Sequence, residues 1–285
     1  GAGMAAGRVL EHLTQAAPDR FEITLFNAEP RGTYNRIMLS PVLAGDKTYE
    51  EIVIHDDHWY RQHGVNTRFG ELVTQIDTAA RRVVGEKGSV KYDKLILATG
   101  SDPFIIPLPG HDLKGVIAYR DLEDTQAMLD LPEDARVVVI GGGLLGLEAA
   151  AGIAARGIKV SVVHLMGHLM ERQLDPEAAG LLQTSLEAKG ININCSADSE
   201  CILGDNGRAT ALRLKDGREL PCDLLVMAVG IRPAVSLARE AALKVERAIF
   251  VDDQMRSSEP DIFALGECVE HRGALFGLVA PLYDQ

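Results

Sequence analysis

Two hexapeptides of the 285-residue chain have the residue types and spacing to hold phosphate: Gly1-Ala2-Gly3-Met4-Ala5-Ala6 and Gly141-Gly142-Gly143-Leu144-Leu145-Gly146. Both read G-x-G-x-x-G/A, and each leads into a helical stretch and then an apolar strand. In such a turn the first glycine makes the tight bend, the second admits a pyrophosphate to the backbone, and the third lets helix and strand pack closely. The helix N-terminus adds free N–H groups and a partial positive charge. A single motif of this kind is weak evidence, because glycine turns precede helices for packing reasons alone. For 141–146 both the strand before it and the helix after it are present, so Gly141, Gly143 and Gly146, with Leu144, Leu145 and Glu148 beside them, form one candidate set. Gly1, Gly3 and Ala6 begin another.

A second echo follows each turn: Leu97-Ala98-Thr99-Gly100-Ser101 after one apolar strand, and Met227-Ala228-Val229-Gly230-Ile231-Arg232-Pro233 after another. Two nucleotide-binding units in tandem account for both echoes, and Ala98, Thr99, Gly100, Gly230 and Ile231 join the candidates, as does Val73. The residue that reads a ribose stands at the end of the strand after the glycine turn, where an acid favours NAD and a nearby Arg favours NADP. In the first unit Glu29 takes that place with Asn27 as rival, the alternative for Glu29 being a solvated loop carboxylate. In the second unit His164 stands there, with no acid, and no Arg before Arg172. The choice between NADH and NADPH stays open on this basis, with a lean to NADH.

These residues need parallel strands and helices to position them. Leu25-Phe26, Leu95–Leu97, Val137–Ile140, Val160–Val163 and Leu224–Met227 read as buried strands, and helices are expected at about 4–16, 121–129, 144–156, 176–189 and 234–242. Asp175 as cap, Pro176 at the first position and Gly190 past the end mark the fourth helix. Asp102 to Gly115, with Pro103, Pro107, Pro109 and Gly110, suits a linker. The expected fold is α/β, with two Rossmann-like three-layer dinucleotide-binding domains, the second inserted into the first: 1–116 and 246–285 enclose 117–245.

Composition bounds the alternatives. With 46% apolar and 25% charged residues the chain is ordinary globular protein rather than disordered. A net charge of −12 opposes general attraction to nucleic acid or anionic lipid. The longest apolar stretch, 137–155, holds Glu148 and several glycines and reads as strand, turn and helix rather than a membrane span. Cys195, Cys201, Cys222 and Cys268 show neither C-x-x-C nor zinc spacing, so no metal ligand set is expected and a cytoplasmic, reduced protein is.

The combined set resembles the two-dinucleotide-binding-domain flavoproteins, in which FAD occupies the first unit and NAD(P)H the second. The segment Ile262-Phe263-Ala264-Leu265-Gly266-Glu267 completes it. The resemblance implies that Gly266 and Glu267 meet the FAD ribityl–pyrophosphate region, with Glu267 in place of the family's Asp. Arg36 in Tyr34-Asn35-Arg36 has two readings, one facing a flavin or its phosphates and the other a surface arginine. Within that superfamily, several runs resemble the N-terminal part of the large subunit of NAD(P)H-dependent nitrite reductases. They are Glu29-Pro30-Arg31 with Tyr34-Asn35-Arg36, Gly141-Gly142-Gly143-Leu144-Leu145-Gly146-Leu147-Glu148-Ala149, Leu169-Met170-Glu171-Arg172-Gln173-Leu174-Asp175, Gly230-Ile231-Arg232-Pro233, Gly266-Glu267-Cys268 and Phe276-Gly277-Leu278-Val279-Ala280-Pro281. Cysteine placement excludes the glutathione-reductase type of disulfide chemistry and the single-cysteine oxidases, since the first cysteine is Cys195. Cys268 alone lies near a cofactor motif, either as a buried structural thiol or as a redox group.

Hydride transfer between nicotinamide and flavin needs orientation more than an acid or base, so no catalytic side chain is assigned. The resemblance implies iron–sulfur and sirohaem centres further along the polypeptide, where nitrite is reduced. Those downstream modules, and a small nitrite reductase subunit, are the implied partners, and a homodimer is left open. Four scattered cysteines do not supply such centres. No strand precedes Gly1, and the chain stops where the resemblance implies a helix beneath the flavin. The sequence is therefore expected to be a piece of a longer reading frame with weak FAD retention. The alternatives are a stand-alone rubredoxin or ferredoxin reductase, and a non-catalytic nucleotide-binding redox sensor.

Overall fold

The computed structural model describes residues 1–18 and 20–277. The expected helix opening near Ala280, and most of the run from Phe276 to Pro281, lie outside the described residues. By contact the chain divides into two units. One comprises Gly1–Asn35, Ile52–Asp102 and the described residues from Arg232 onward; the other comprises Arg36–Glu51 and Pro103–Ile231.

The second unit is built on a five-stranded parallel sheet. Its strand order is Asn192–Asn194, Lys159–Val163, Arg136–Ile140, Leu224–Met227 and Val116–Ala118. Val137 to Ile140 and Leu224 to Met227 are each at most 5% exposed, as central strands covered on both faces must be, which explains their unbroken apolar runs. From Arg136–Ile140 the chain moves outward one way to Lys159–Val163 and Asn192–Asn194. It then returns to the other side of Arg136–Ile140 through Leu224–Met227. That reversal makes a crevice at the carboxyl ends of the two central strands, the usual ligand position in open α/β sheets.

Helix Leu122–Leu129 begins with a capping box between Asp121 and Asp124. Burial and the neighbouring Asp121 carboxylate raise the Asp124 pKa. Helix Pro176–Glu187 begins with the Asp175 carboxylate accepting from the Ala178 N–H at 2.8 Å. An antiparallel sheet of Ser199–Asp205, Arg208–Leu214 and Glu219–Pro221 completes the unit.

Among its described residues the first unit carries the parallel pairs Ile23–Asn27 with Val65–Phe69, Leu95–Leu97 with Ile262–Ala264, and Ile249–Phe250 with Val269–His271. It also has an antiparallel sheet of Val73–Asp77, Arg82–Gly85 and Gly88–Lys91. Its first helix, Met4–Ala16, buries Ala6, Gly7, Leu10 and Thr14.

The seams at 102/103 and 231/232 fall earlier than the boundaries expected at 116/117 and 245/246. The proline-rich stretch does not hang between domains: Ile105, Ile106, Leu108 and Leu113 pack on the second unit's core, and Val116–Ala118 is an edge strand of its sheet. At the other seam, Val235 and Leu237 pack with Ile249 and Val251 in the first unit's core. The short helix Leu39–Ala44 belongs to the second unit because the missing side chain of Gly152 makes room for fully buried Leu43.

Candidate functional site

The second glycine turn sits at the crevice of the parallel sheet, and its glycines serve different ends. Gly141 has φ +124°, and a Cβ there would lie 2.2 Å from the Ala228 carbonyl oxygen. At Gly146 a Cβ would lie 2.1 Å from the Gly141 carbonyl oxygen. Both are required by the protein's own packing. Gly143 differs: its φ of −85° suits any residue, and a Cβ there meets nothing within 4 Å. Nothing in the folded chain accounts for glycine at that point, whereas a pyrophosphate lying against the backbone does. Gly143 is the N-cap of helix Leu144–Ala155, which has no side-chain cap and no acidic residue in its first turn. Its N-terminal N–H groups are thus left for an anion.

The first turn repeats this arrangement. Gly3 is the N-cap of Met4–Ala16 with φ −69°, no side-chain cap and nothing within 4 Å of a Cβ. Gly1 is close-packed, its Cβ position 3.1 Å from the Ala98 carbonyl oxygen. The Ala2 N–H donates to Asn27 Oδ1 at 3.1 Å, and Asn27 Nδ2 donates to the Arg31 carbonyl at 2.8 Å. Asn27 is thereby spent on fixing the turn. Glu29 is oriented instead by buried Tyr34, whose hydroxyl donates to Oε2 at 2.8 Å. Gly266, with φ +86°, comes within contact of Ala5, and Glu267 Oε2 accepts from Ser101 Oγ at 2.6 Å. Gly100 has φ +70°, and the Thr99 hydroxyl donates to the Ala234 carbonyl at 2.6 Å.

Gly1, Gly3, Ala6, Glu29, Ala98, Thr99, Gly100, Gly266 and Glu267 are thus gathered in the first unit by these contacts and by the strand pair Leu95–Leu97 with Ile262–Ala264. Val73 opens the strand two residues after Glu71, whose N–H donates to the Asn27 carbonyl at 3.0 Å. Arg36 falls in the second unit by contact, where Nη1 donates to the Arg120 carbonyl at 3.2 Å.

In the second unit Leu144, Leu145 and Ile231 are exposed apolar side chains at the carboxyl ends of the strands, suited to a ligand's flat rings. Gly230 has φ +117° with open space around it. Glu148, one turn into the helix, accepts from Ser40 Oγ at 2.8 Å, and Ser40 lies 3.2 Å from the Tyr119 hydroxyl. Burial pushes the Tyr119 pKa up to about 12, so this phenol keeps its proton. Ser40 and Tyr119 carried no sequence signal, because each lies far along the chain from Glu148.

His164 is buried, and its Nδ1 accepts from the Gly142 N–H at 3.1 Å while Nε2 lies 3.0 Å from Glu171 Oε2. Glu171 was missed as a site residue in the sequence because it sits seven positions beyond the strand end. No helix among the described residues is long and apolar enough to cross a membrane.

All four cysteines are free. Cys268 is fully buried with Sγ donating to the Leu265 carbonyl at 3.1 Å, and burial pushes the Cys222 thiol up to about 11. Neither has the accessible thiolate that dithiol chemistry needs. A maleimide at pH 8 is expected to modify Cys195 and Cys201, both half-buried, and to leave Cys222 and Cys268 untouched until the chain is unfolded. Mass mapping of the labelled peptides checks this, and rapid native labelling of Cys268 would contradict it.

Comparison with known proteins agrees with this geometry. The family model "Pyridine nucleotide-disulphide oxidoreductase" matches residues 1–278. The chain is 48% identical to a nitrite reductase [NAD(P)H] of Bacillus subtilis, covering 100% of this chain and 36% of that protein. It is 46% identical to the assimilatory nitrate reductase electron transfer subunit of the same organism, covering 100% and 37%. The chain therefore spans about a third of the length of these relatives. Among solved structures, the ferredoxin reductase for the CYP199A2 system of Rhodopseudomonas palustris superposes with a TM-score of 0.89 at 30% identity, covering 98% of this chain and 70% of that one.

Proposed function

Because the chain belongs to the pyridine nucleotide-disulphide oxidoreductase family, we propose that it is the electron-input portion of an assimilatory nitrite reductase. In this proposal FAD is held at the first glycine turn and NAD(P)H at the second. Family membership makes it an NAD(P)H-dependent flavoprotein oxidoreductase; the nitrite-reducing assignment rests on the relatives' names and on their extent beyond this segment. Iron–sulfur and sirohaem centres then belong to the rest of the polypeptide, and its partners are those redox modules.

The observation that carries the nucleotide assignment is the pair Gly3 and Gly143. Both are uncapped helix starts where glycine has no packing reason, inside turns whose other glycines do. Bound FAD would supply a two-electron acceptor for hydride from NAD(P)H. The chain's own part is to bind and orient. The two helix N-termini offer N–H groups to the pyrophosphates, Tyr34 holds Glu29 for an adenosine ribose, and the Ser101 hydroxyl holds Glu267. Ser40 and Tyr119 keep Glu148 hydrogen-bonded on the helix behind the second turn.

Anaerobic addition of NADH or NADPH to the FAD-supplemented protein is expected to bleach the flavin band at about 450 nm within the mixing time of a manual assay. A flavin that stays oxidised under saturating nucleotide would favour a non-catalytic redox sensor instead. The likeness to the ferredoxin reductase supports a second reading, a stand-alone reductase of a small iron–sulfur protein. Thiol-rich modules encoded in frame downstream would favour the nitrite reductase assignment over it.

A further inference from the structure

We propose that Glu171 reads the adenosine ribose of the nicotinamide cofactor, replacing the acid that the strand end lacks, and thereby sets a preference for NADH over NADPH. This deepens the assignment of the second glycine turn and rests on it. His164 occupies the strand-end position, but both of its ring nitrogens are used within the protein. Gly142 donates its N–H to Nδ1, so the ring proton is on Nε2 and is donated to Glu171 Oε2. The imidazole keeps no donor or acceptor for a ribose. Glu171 is partly exposed, and among the described residues its Oε1 has no hydrogen-bond partner.

The segment that delivers Glu171 is tied to the glycine turn itself. The Met170 N–H donates to the Gly142 carbonyl at 3.0 Å, so the residue before Glu171 is fixed on the middle of the hexapeptide. Met170 takes φ +53°, a left-handed conformation unfavourable for its side chain, and the N–H groups of Gln173 and Leu174 both return to its carbonyl. Buried Leu169 anchors the segment from the other side. Backbone strain of this kind persists where several contacts over-determine it, and it gathers at ligand sites. Directly after His164, the partner of the Glu171 carboxylate, Leu165 and Met166 remain 63% and 47% exposed, an apolar surface on the segment that carries this hydrogen bond, of the kind an adenosine packs against.

A carboxylate accepts from the 2′ and 3′ hydroxyls of NADH and repels the 2′-phosphate of NADPH. Arg172 is the opposing group, but it is exposed and makes no hydrogen bond among the described residues. Ordering it on a phosphate would cost side-chain entropy, and Glu171 would stand next to that phosphate.

The test is calorimetric titration of the protein with NAD⁺ and NADP⁺, which needs no turnover. NAD⁺ is expected to bind about tenfold or more tightly than NADP⁺. In Glu171→Gln the ratio should fall toward unity, chiefly through tighter NADP⁺. Glu177→Gln, which removes a charge from the first turn of the following helix, should leave the ratio unchanged. An unchanged ratio in Glu171→Gln, or wild-type preference for NADP⁺ that Arg172→Ala removes, would overturn the role of Glu171 alone. Binding of neither dinucleotide would overturn the assignment of the second turn, and this proposal with it.

Discussion

Gly143→Val is expected to leave the chain folded while weakening dinucleotide binding at the second turn by about 100-fold or more, since it removes both phosphate hydrogen bonds and close approach. The first half follows from the residue's own geometry. Its φ of −85° and ψ of 179° are extended values natural to a β-branched residue, and the space a Cβ would enter is empty to 4 Å. The remaining cost is a poorer helix N-cap, about 1 kcal/mol, which moves a thermal midpoint by only a few degrees. The second half follows because the added methyls stand over the uncapped N–H groups of the helix start, where a pyrophosphate would lie. Thermal unfolding and NAD⁺ titration on the same preparation check both halves. Gly3→Val should behave in parallel, keeping the fold and reducing FAD retention. A Gly143→Val protein that binds NAD⁺ like the parent would show that this glycine has no part in nucleotide binding.

Those glycines were legible as a pattern, but their separate duties were not. G-x-G-x-x-G/A announces a turn that opens a helix, and such a turn leads into Met4–Ala16 in one unit and Leu144–Ala155 in the other. What crowds Gly141 is the carbonyl of Ala228, which returns just past a strand more than eighty residues later, and what crowds Gly146 is the carbonyl of Gly141, whereas Gly143 meets neither. Helices were readable where side chains cap them. Asp121 with Asp124, and Asp175 with Pro176, give ends within two residues of those expected. Leu39–Ala44 and Asp57–Gln62 escaped notice because six residues hold too little periodicity. The antiparallel sheet at 199–221 carried its own signals, Asn206-Gly207 and Asp216-Gly217 at its two turns.

The place of Glu171 was hidden from the sequence for a physical reason. Strand-end rules look for the acid on the strand, whereas here a strained Met170 turns the chain so that Glu171 meets His164 from seven residues away. Arg36 stands at a seam: the chain passes from the first unit to the second between Asn35 and Arg36, and Leu43 filling the space beside Gly152 groups 36–51 with the second.

Gly141→Ala should fail in the opposite way to Gly143→Val, losing the fold before the ligand. At φ +124° an alanine is strained by about 1–3 kcal/mol, and its Cβ would stand 2.2 Å from a backbone oxygen that cannot rotate away. Relief requires moving Ala228, and with it the end of Leu224–Met227, a central strand paired on both sides. Overpacking against so rigid a neighbour adds about 1–3 kcal/mol. The sum, about 2–6 kcal/mol, is a large share of a domain's stability and should lower the second unit's thermal midpoint by roughly 6 °C or more. Calorimetric unfolding of the variant is the check, and a midpoint within a few degrees of the parent would contradict the argument. A shared ligand-binding role alone would make the two variants alike. Opposite outcomes from glycines two residues apart would show that one is kept for the pyrophosphate and the other for the sheet.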